Sequence, residues 1–439
     1  MKIHFFVLQL LLVSLSSYAG TTYYGTKSTE AILEFEAQIE ISTKRAVTLQ
    51  QLAGSGERAG EIRELVNYQL SFLIGHFQSH SHLKRFPYPG VLGDSQTIKF
   101  KKVGPRVGET QLITYSFKGK TNFHEDIFGS NLEASVPLRI PLNTETFYRL
   151  GLVKGVNKCT DEHYNSEDDL FYFWDPELKG CPLKGDTKTV QHIDGKLKKL
   201  NNTKSSYPEY DRLYLNQELK VSIFFGYIDD YPAKIGKKDD AYLAFEDVEA
   251  ELLAHGFEVM EEKTFGKINH LRVFEKSLIN QLGQKQKVVV EMLLSDTSLN
   301  STDSVFVSAF TKALMESQIV AYDGHSGLGG NLDISRFPIS KLKSQYQVYF
   351  FNGCSSYPYF NGMYFSKKPQ GKKNLEIITS GLPTLSSTSA TNMLAFIDPF
   401  IQGKTISYQT LLNRIENSNG NEDTYLMGVN GDEDNSFKP

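Results

Sequence analysis

Two side chains able to do acid–base and nucleophilic chemistry stand together in "AYDGHSGLGG", residues 321–330: His325 and Ser326. A third, Cys354, lies in "YQVYFFNGCSS", 29 residues beyond the histidine. The serine needs a base. A hydrolase nucleophile elbow reads Gly-x-Ser-x-Gly on a strand-to-helix turn, with an acid and then a histidine downstream. Here Leu328 replaces the last glycine, His325 is the final histidine of the chain, and "GGNLDISRFP" is too rich in glycine and proline to open a helix at once. Ser326 is left without a partner. A thiol becomes an effective nucleophile as its thiolate, and imidazole titrates in the range needed to take the proton. His325 and Cys354 are the pair expected to react.

Such a pair works only if the fold brings it together. "IVAYD" (319–323) and "YQVYFF" (346–351) read as short buried strands that end just before His325 and Cys354. Consecutive strands are usually neighbours, and in open α/β sheets the carboxyl ends of strands line the binding crevice. Both residues would then face one cleft. Gly327 and Gly353 would let backbone N–H groups turn toward a developing oxyanion.

The surrounding chain supplies the rest of such a sheet. "LKVSIFFGY" (219–227), "FEVMEE", "KVVVEMLL" (287–294), "LEIIT" (375–379) and "TYLMGVNGD" read as strands. "DDAYLAFEDVEAELLAHGF" reads as a helix capped by Asp239 or Asp240 and stopped at Gly256; "STDSVFVSAFTKALMESQ", "TNMLAFIDPFI" and "SYQTLLNRIE" read as three more. Apolar strands alternating with amphipathic helices predict a largely parallel sheet covered on both faces. A polar stretch at residues 200–217 separates this region from an α+β part, with a helix over 61–77 and strands at "QTIKFKKV", "QLITYSFKGK" and "ASVPLRIPL".

In its order of blocks the second region resembles the caspase-like (clan CD) cysteine peptidases: a buried strand ending in a glycine-flanked histidine, then a strand ending in a small residue plus cysteine. "FFNGCSS" is similar to the cysteine block of separases and CHAT-type peptidases, and the short His325–Cys354 gap is closer to gingipain and CHAT proteins than to caspases. "LEIITSGLPTLSSTSATNMLAFIDPFIQGKTISYQTLLNRIE" and "YLMGVNGDEDN" resemble the elements that follow the cysteine in those families. The resemblance spans roughly residues 217–435. It implies an α/β caspase-like domain over 216–439, preceded by an α+β domain over 20–215. It further implies that Cys354 attacks a peptide carbonyl to form an acyl-enzyme, and that His325 activates the thiol or protonates the leaving amine. Backbone N–H groups of Ser326 and Cys354 would hold the oxyanion, and Asp323 would orient His325 or shape the specificity pocket. No cofactor or metal is implied, and the partner is a protein or peptide substrate. The family carries glycine directly after the histidine where this chain has Ser326, so the alternative reading is a caspase-like binding or scaffold protein without turnover.

Composition sets the frame. The chain has 439 residues, 40% of them hydrophobic and 22% charged, with a net charge of −4, which suits two or three globular domains and gives no electrostatic reason to expect a nucleic-acid partner. "MKIHFFVLQLLLVSLSSYAG" has a basic start, an apolar stretch too short to span a bilayer, and a small-x-small site at Ser17-Tyr18-Ala19. Residues 1–19 are expected to be a cleaved export signal. The mature chain would then reach the periplasm or the medium without stable membrane insertion. In that oxidising setting Cys159 and Cys181, 22 positions apart, are expected to form a disulfide. Cys354 remains over, either buried and inert or kept for chemistry. His76 and His80 could share a metal on a helix, but no acidic partner is near in sequence, and a solvated helix end is expected.

Overall fold

A computed structural model describes residues 23–439 apart from 162–163, 230–238, 267, 302–303 and 419–424. The expected export signal lies outside the described residues. Two sheets organise the chain.

After the two-residue strand β1 (Tyr23–Tyr24), the chain builds a five-stranded antiparallel layer from β2 (Ser28–Ser42), β3 (Gly90–Val107), β4 (Thr110–His124), β5 (Glu133–Pro141) and β6 (Val190–Lys199), in the order β3-β4-β2-β6-β5. From Leu33 onward strand β2 alternates: Leu33, Phe35, Ala37 and Ile39 point inward while Glu34 and Glu36 face water. Helix α1 (Glu57–Gln78) lies on this sheet and drives Ile62, Val66, Leu70, Leu73 and Phe77 into the same core as Leu33, Ile39, Tyr115 and Leu138. The C-terminal end of α1 is not solvated as the sequence suggested. His76 is buried against His82, with ring centroids 4.5 Å apart, and its Nε2 lies 2.9 Å from the Pro137 carbonyl. His80 starts the next short turn of helix instead of joining them.

The larger layer is built from β7 (Glu218–Gly226), helix α2 (Asp240–Ala254), β8 (Glu258–Phe265), β9 (Asn269–Ile279), β10 (Lys285–Ser295), α3 (Ser304–Glu316), β11 (Ile319–Asp323), β12 (Gln347–Asn352), α4 (Tyr357–Lys367), β13 (Leu375–Thr379), α5 (Ser389–Ile401), α6 (Tyr408–Asn417) and β14 (Gly428–Asn430). Its nine strands run β1-β14-β13-β12-β11-β7-β10-β9-β8. The five central strands are parallel, whereas both margins are antiparallel. The sheet is therefore mixed, not mostly parallel as expected from sequence. The reason is local: β9 and β10 are joined by a tight turn in which Asn280 Oδ1 accepts from Leu282 N and Gln284 N, and a hairpin admits only antiparallel pairing. Helices cover both faces. Phe245, Val248, Phe396, Phe400 and Leu411 of α2, α5 and α6 pack on one side, and Phe306, Phe310, Phe360 and Tyr364 of α3 and α4 on the other.

Residues on both sides of position 216 build the nine-stranded layer. Tyr23 and Tyr24 pair with β14, and Tyr210, Leu213 and Tyr214 sit in the core of the nine-stranded layer. No helix among the described residues is long and apolar enough to cross a membrane.

Candidate functional site

Strands β11 and β12 lie side by side and parallel, with Asp323 opposite Asn352 as the last pair in register. One residue past that pair, the chain turns at Gly324 and at Gly353. Gly324 has φ +148°, and a Cβ there would meet Tyr322 Oη at 2.9 Å and Gly226 Cα at 3.1 Å, so only glycine fits. A Cβ on Gly353 would stand 3.1 Å from Gly324 O and 3.6 Å from Ser326 N. The turn bearing His325 and the turn bearing Cys354 therefore touch.

Each turn is held from behind. The His325 carbonyl accepts from Tyr322 Oη at 2.7 Å and from Asn331 Nδ2 at 2.8 Å. The chain then enters a short 3-10 turn, with Gly327 at φ +57° and Leu328 at φ 52°, and no α-helix follows Ser326. On the cysteine side, Ser355 adopts φ +48° and gives its N–H to Leu382 O at 3.1 Å. Ser356 Oγ donates to Phe351 O at 2.8 Å and accepts from Ser380 N at 2.8 Å. Cys354 thus sits on a strained strand–turn–helix corner, with α4 beginning at Tyr357 and Pro358 in its first turn.

The imidazole of His325 is exposed, and its Nε2 lies 2.9 Å from the Ile228 carbonyl. A carbonyl only accepts, so the neutral ring carries its proton on Nε2 and keeps the Nδ1 lone pair free for a proton. Ile228 is itself positioned by Asp239, whose carboxylate accepts from Ile228 N and Asp229 N while capping α2. The half-buried Cys354 Sγ lies 3.6 Å from the Thr384 carbonyl. Burial pushes its thiol pKa up; Thr384 and Tyr172 pull the other way, and the Asp323 charge adds to the rise. His325 and Cys354 make their hydrogen bonds to these separate carbonyls and not to each other.

Asp323 is buried, and its charge interacts with both His325 and Cys354. Asn352 Nδ2 donates to its Oδ1 at 2.6 Å. Burial pushes its carboxyl up to about 6, against the opposing effects of Ser389, Asn352 and the His325 charge. The two expected oxyanion turns are adjacent, with Ser326 and Gly353 buried and Gly327 exposed. Among the described residues, no three His, Cys, Asp or Glu side chains converge where a metal could sit.

Four features of the site were not read from sequence: the Ile228 and Thr384 carbonyls, Asn352, and Tyr172. Asn352 stood in plain view in "FFNGCSS", and aligning the two strand ends pairs it with Asp323. Tyr172 carried no such signal. It comes from the loop closed by the Cys159–Cys181 disulfide, which forms as expected, and its Oη lies 3.3 Å from Ser355 Oγ. No family model and no curated protein matches this chain.

Proposed function

We propose that the protein is an exported cysteine endopeptidase of caspase-like architecture, with Cys354 as nucleophile and His325 as its base. The observation that carries this reading is the pair of adjoining parallel strands, which end side by side and turn His325 and Cys354 into touching loops. In the reaction, His325 Nδ1 takes the thiol proton as Sγ bonds to the peptide carbonyl carbon. The oxyanion is held by backbone N–H groups of the Ser326 and Cys354 turns. His325 then returns the proton to the leaving amine, the C–N bond breaks, and water releases the acyl group from sulfur. The raised thiol pKa means that proton removal belongs to the attack itself and not to a standing ion pair. The disulfide supports maturation in an oxidising compartment, and with the signal-like start it supports export.

A second reading, a binding protein that keeps this scaffold, is favoured by the thiol's orientation toward Thr384 and by the aromatic residues packed against it. The two readings separate on one measurement. Cys354→Ala should lower peptide turnover by about a thousand-fold or more and abolish labelling by a thiol-directed electrophile. Turnover that survives this substitution excludes Cys354 as the nucleophile.

A further inference from the structure

The candidate nucleophile does not open freely to solvent. Cys354 and Leu328, from the two touching turns, both pack against an apolar cluster that joins Leu170, Phe171, Tyr172 and Trp174 of the disulfide-closed loop to Phe72 and Phe147 behind them, with Tyr164 and Phe173 at its rim. The Tyr164 ring lies 5.2 Å from that of Tyr172, which reaches Ser355 next to the thiol. The loop therefore reaches the cysteine turn directly, and Leu328 of the histidine turn packs on the same cluster. Two surface hollows, one lined by Lys220, Ser222 and Lys312 and one by Glu209, Arg212 and Ser436, lie away from Cys354.

This segment is firmly mounted. The disulfide closes its base, with both cysteines buried. Helix α1 holds its back through Gly75, where a Cβ would come within 2.4 Å of Phe171 O and Trp174 N. Phe72 meets Trp174 edge-on at 5.3 Å, and Tyr68 Oη donates to Glu167 O at 3.0 Å. Attack on a peptide carbonyl requires the carbon within about 3.5 Å of sulfur with the chain laid across both turns. The aromatic cluster packs against both turns.

We propose that residues 164–181 of the disulfide-closed loop form an intramolecular cap that keeps Cys354 latent, with Tyr172 and Tyr164 standing where a substrate chain must pass. The proposal rests on the reading of Cys354 as the reactive residue. Opening requires the segment to lift from Leu328 and Ser355, and the bond between Cys159 and Cys181 opposes that movement by shortening the free loop.

The test uses the full chain with two readouts: the rate of Cys354 alkylation by iodoacetamide, followed by the mass of its peptide, and turnover of a mixed peptide library. Wild type is compared with Tyr172→Ala, Tyr164→Ala and the pair Cys159→Ser/Cys181→Ser, each checked for a retained cooperative thermal transition. Tyr164 is only partly buried, so its variant carries the test if the disulfide-free chain does not fold. Alkylation at least ten-fold faster in the folded variants, with turnover rising alongside, supports the cap. Faster alkylation without turnover in any variant supports the cap and removes the peptidase reading. Alkylation unchanged in every folded variant overturns the cap, and the peptidase reading then still stands if wild-type turnover is lost in Cys354→Ala.

Discussion

Asn352 donates its side-chain amide to the Asp323 carboxylate at 2.6 Å across two parallel strands, directly beneath the turns that carry His325 and Cys354. The bond fixes the relative register of the two turns. It also leaves an acid held in an environment that disfavours its charge.

Asp323→Asn should therefore stabilise the protein at high pH. The folded-state pKa, about 6, stands above the ordinary 3.8, so the favourable contribution is complete below 3.8 and is lost as pH rises through about 6. A shift of about two units corresponds to about 3 kcal/mol at most. Denaturant unfolding should show a gain of that order at pH 8 and almost none at pH 4. The same variant should move the alkylation profile of Cys354 to lower pH, since the Asp323 charge raises the thiol pKa. A loss of stability at pH 8 would show that the carboxylate is required as an anion.

The buried imidazoles of His76 in α1 and His82 just beyond it predict acid sensitivity with the opposite sign. Burial, followed by the Arg85 and Arg139 charges, lowers the His82 pKa from 6.5 to about 4, and His76 is lowered as well, by burial and by His82. Stability is complete above 6.5 and declines as pH falls toward 4, because the unfolded chain takes up protons that the folded chain refuses. His82 alone accounts for about 3 kcal/mol. Its Nε2 is buried without a partner, so His82→Phe should fold and should flatten the drop in melting temperature between pH 7 and pH 4.5. An equally steep drop in that variant would assign the effect to other groups.

Gly324→Ala tests the geometry that delivers His325. Its φ of +148° and the 2.9 Å approach to Tyr322 Oη leave no position for a methyl group. Strain of this kind amounts to about 1–3 kcal/mol. The unfolding free energy should fall by that amount, and any Cys354-dependent turnover should fall further than stability alone explains. A neutral substitution would mean that the turn has a second acceptable path.

Much of the larger layer was legible because its signals are strong. "IVAYD" and the "YQVYFF" run are buried on both faces and read as central strands, and Asp239 caps its helix through Ala241 N and Tyr242 N. The margins were harder. Strand β8 was read from "FEVMEE", but β9 went unread: it is mostly half-exposed and carries Arg272, Glu275 and Lys276, so it lacks the apolar run that marks an interior strand. Strand β2 went unread although its second half alternates, because Ala, Leu, Glu and Gln are also good helix formers. Helix α4, "YPYFNGMYFSK", is buried through scattered aromatic residues and shows little amphipathic period. The contact between Tyr172 and Ser355 joins residues 183 positions apart, and no local pattern encodes how two layers dock.

The pairing of β1 with β14 has a consequence for the order of assembly. Tyr23 donates to the carbonyl of Leu426, 403 positions away, and Asn122 of the smaller layer bonds to both. The earliest strand can find its place only after the last one has been synthesised, and such distant closure is slow. The smaller layer, whose strands lie within the first half of the chain, can collapse around α1 well before that. A nascent chain arrested before Gly428 should show protected amides in β2 and β4 but none at Tyr23 and Tyr24, so the final lock between the layers follows translation and does not guide it.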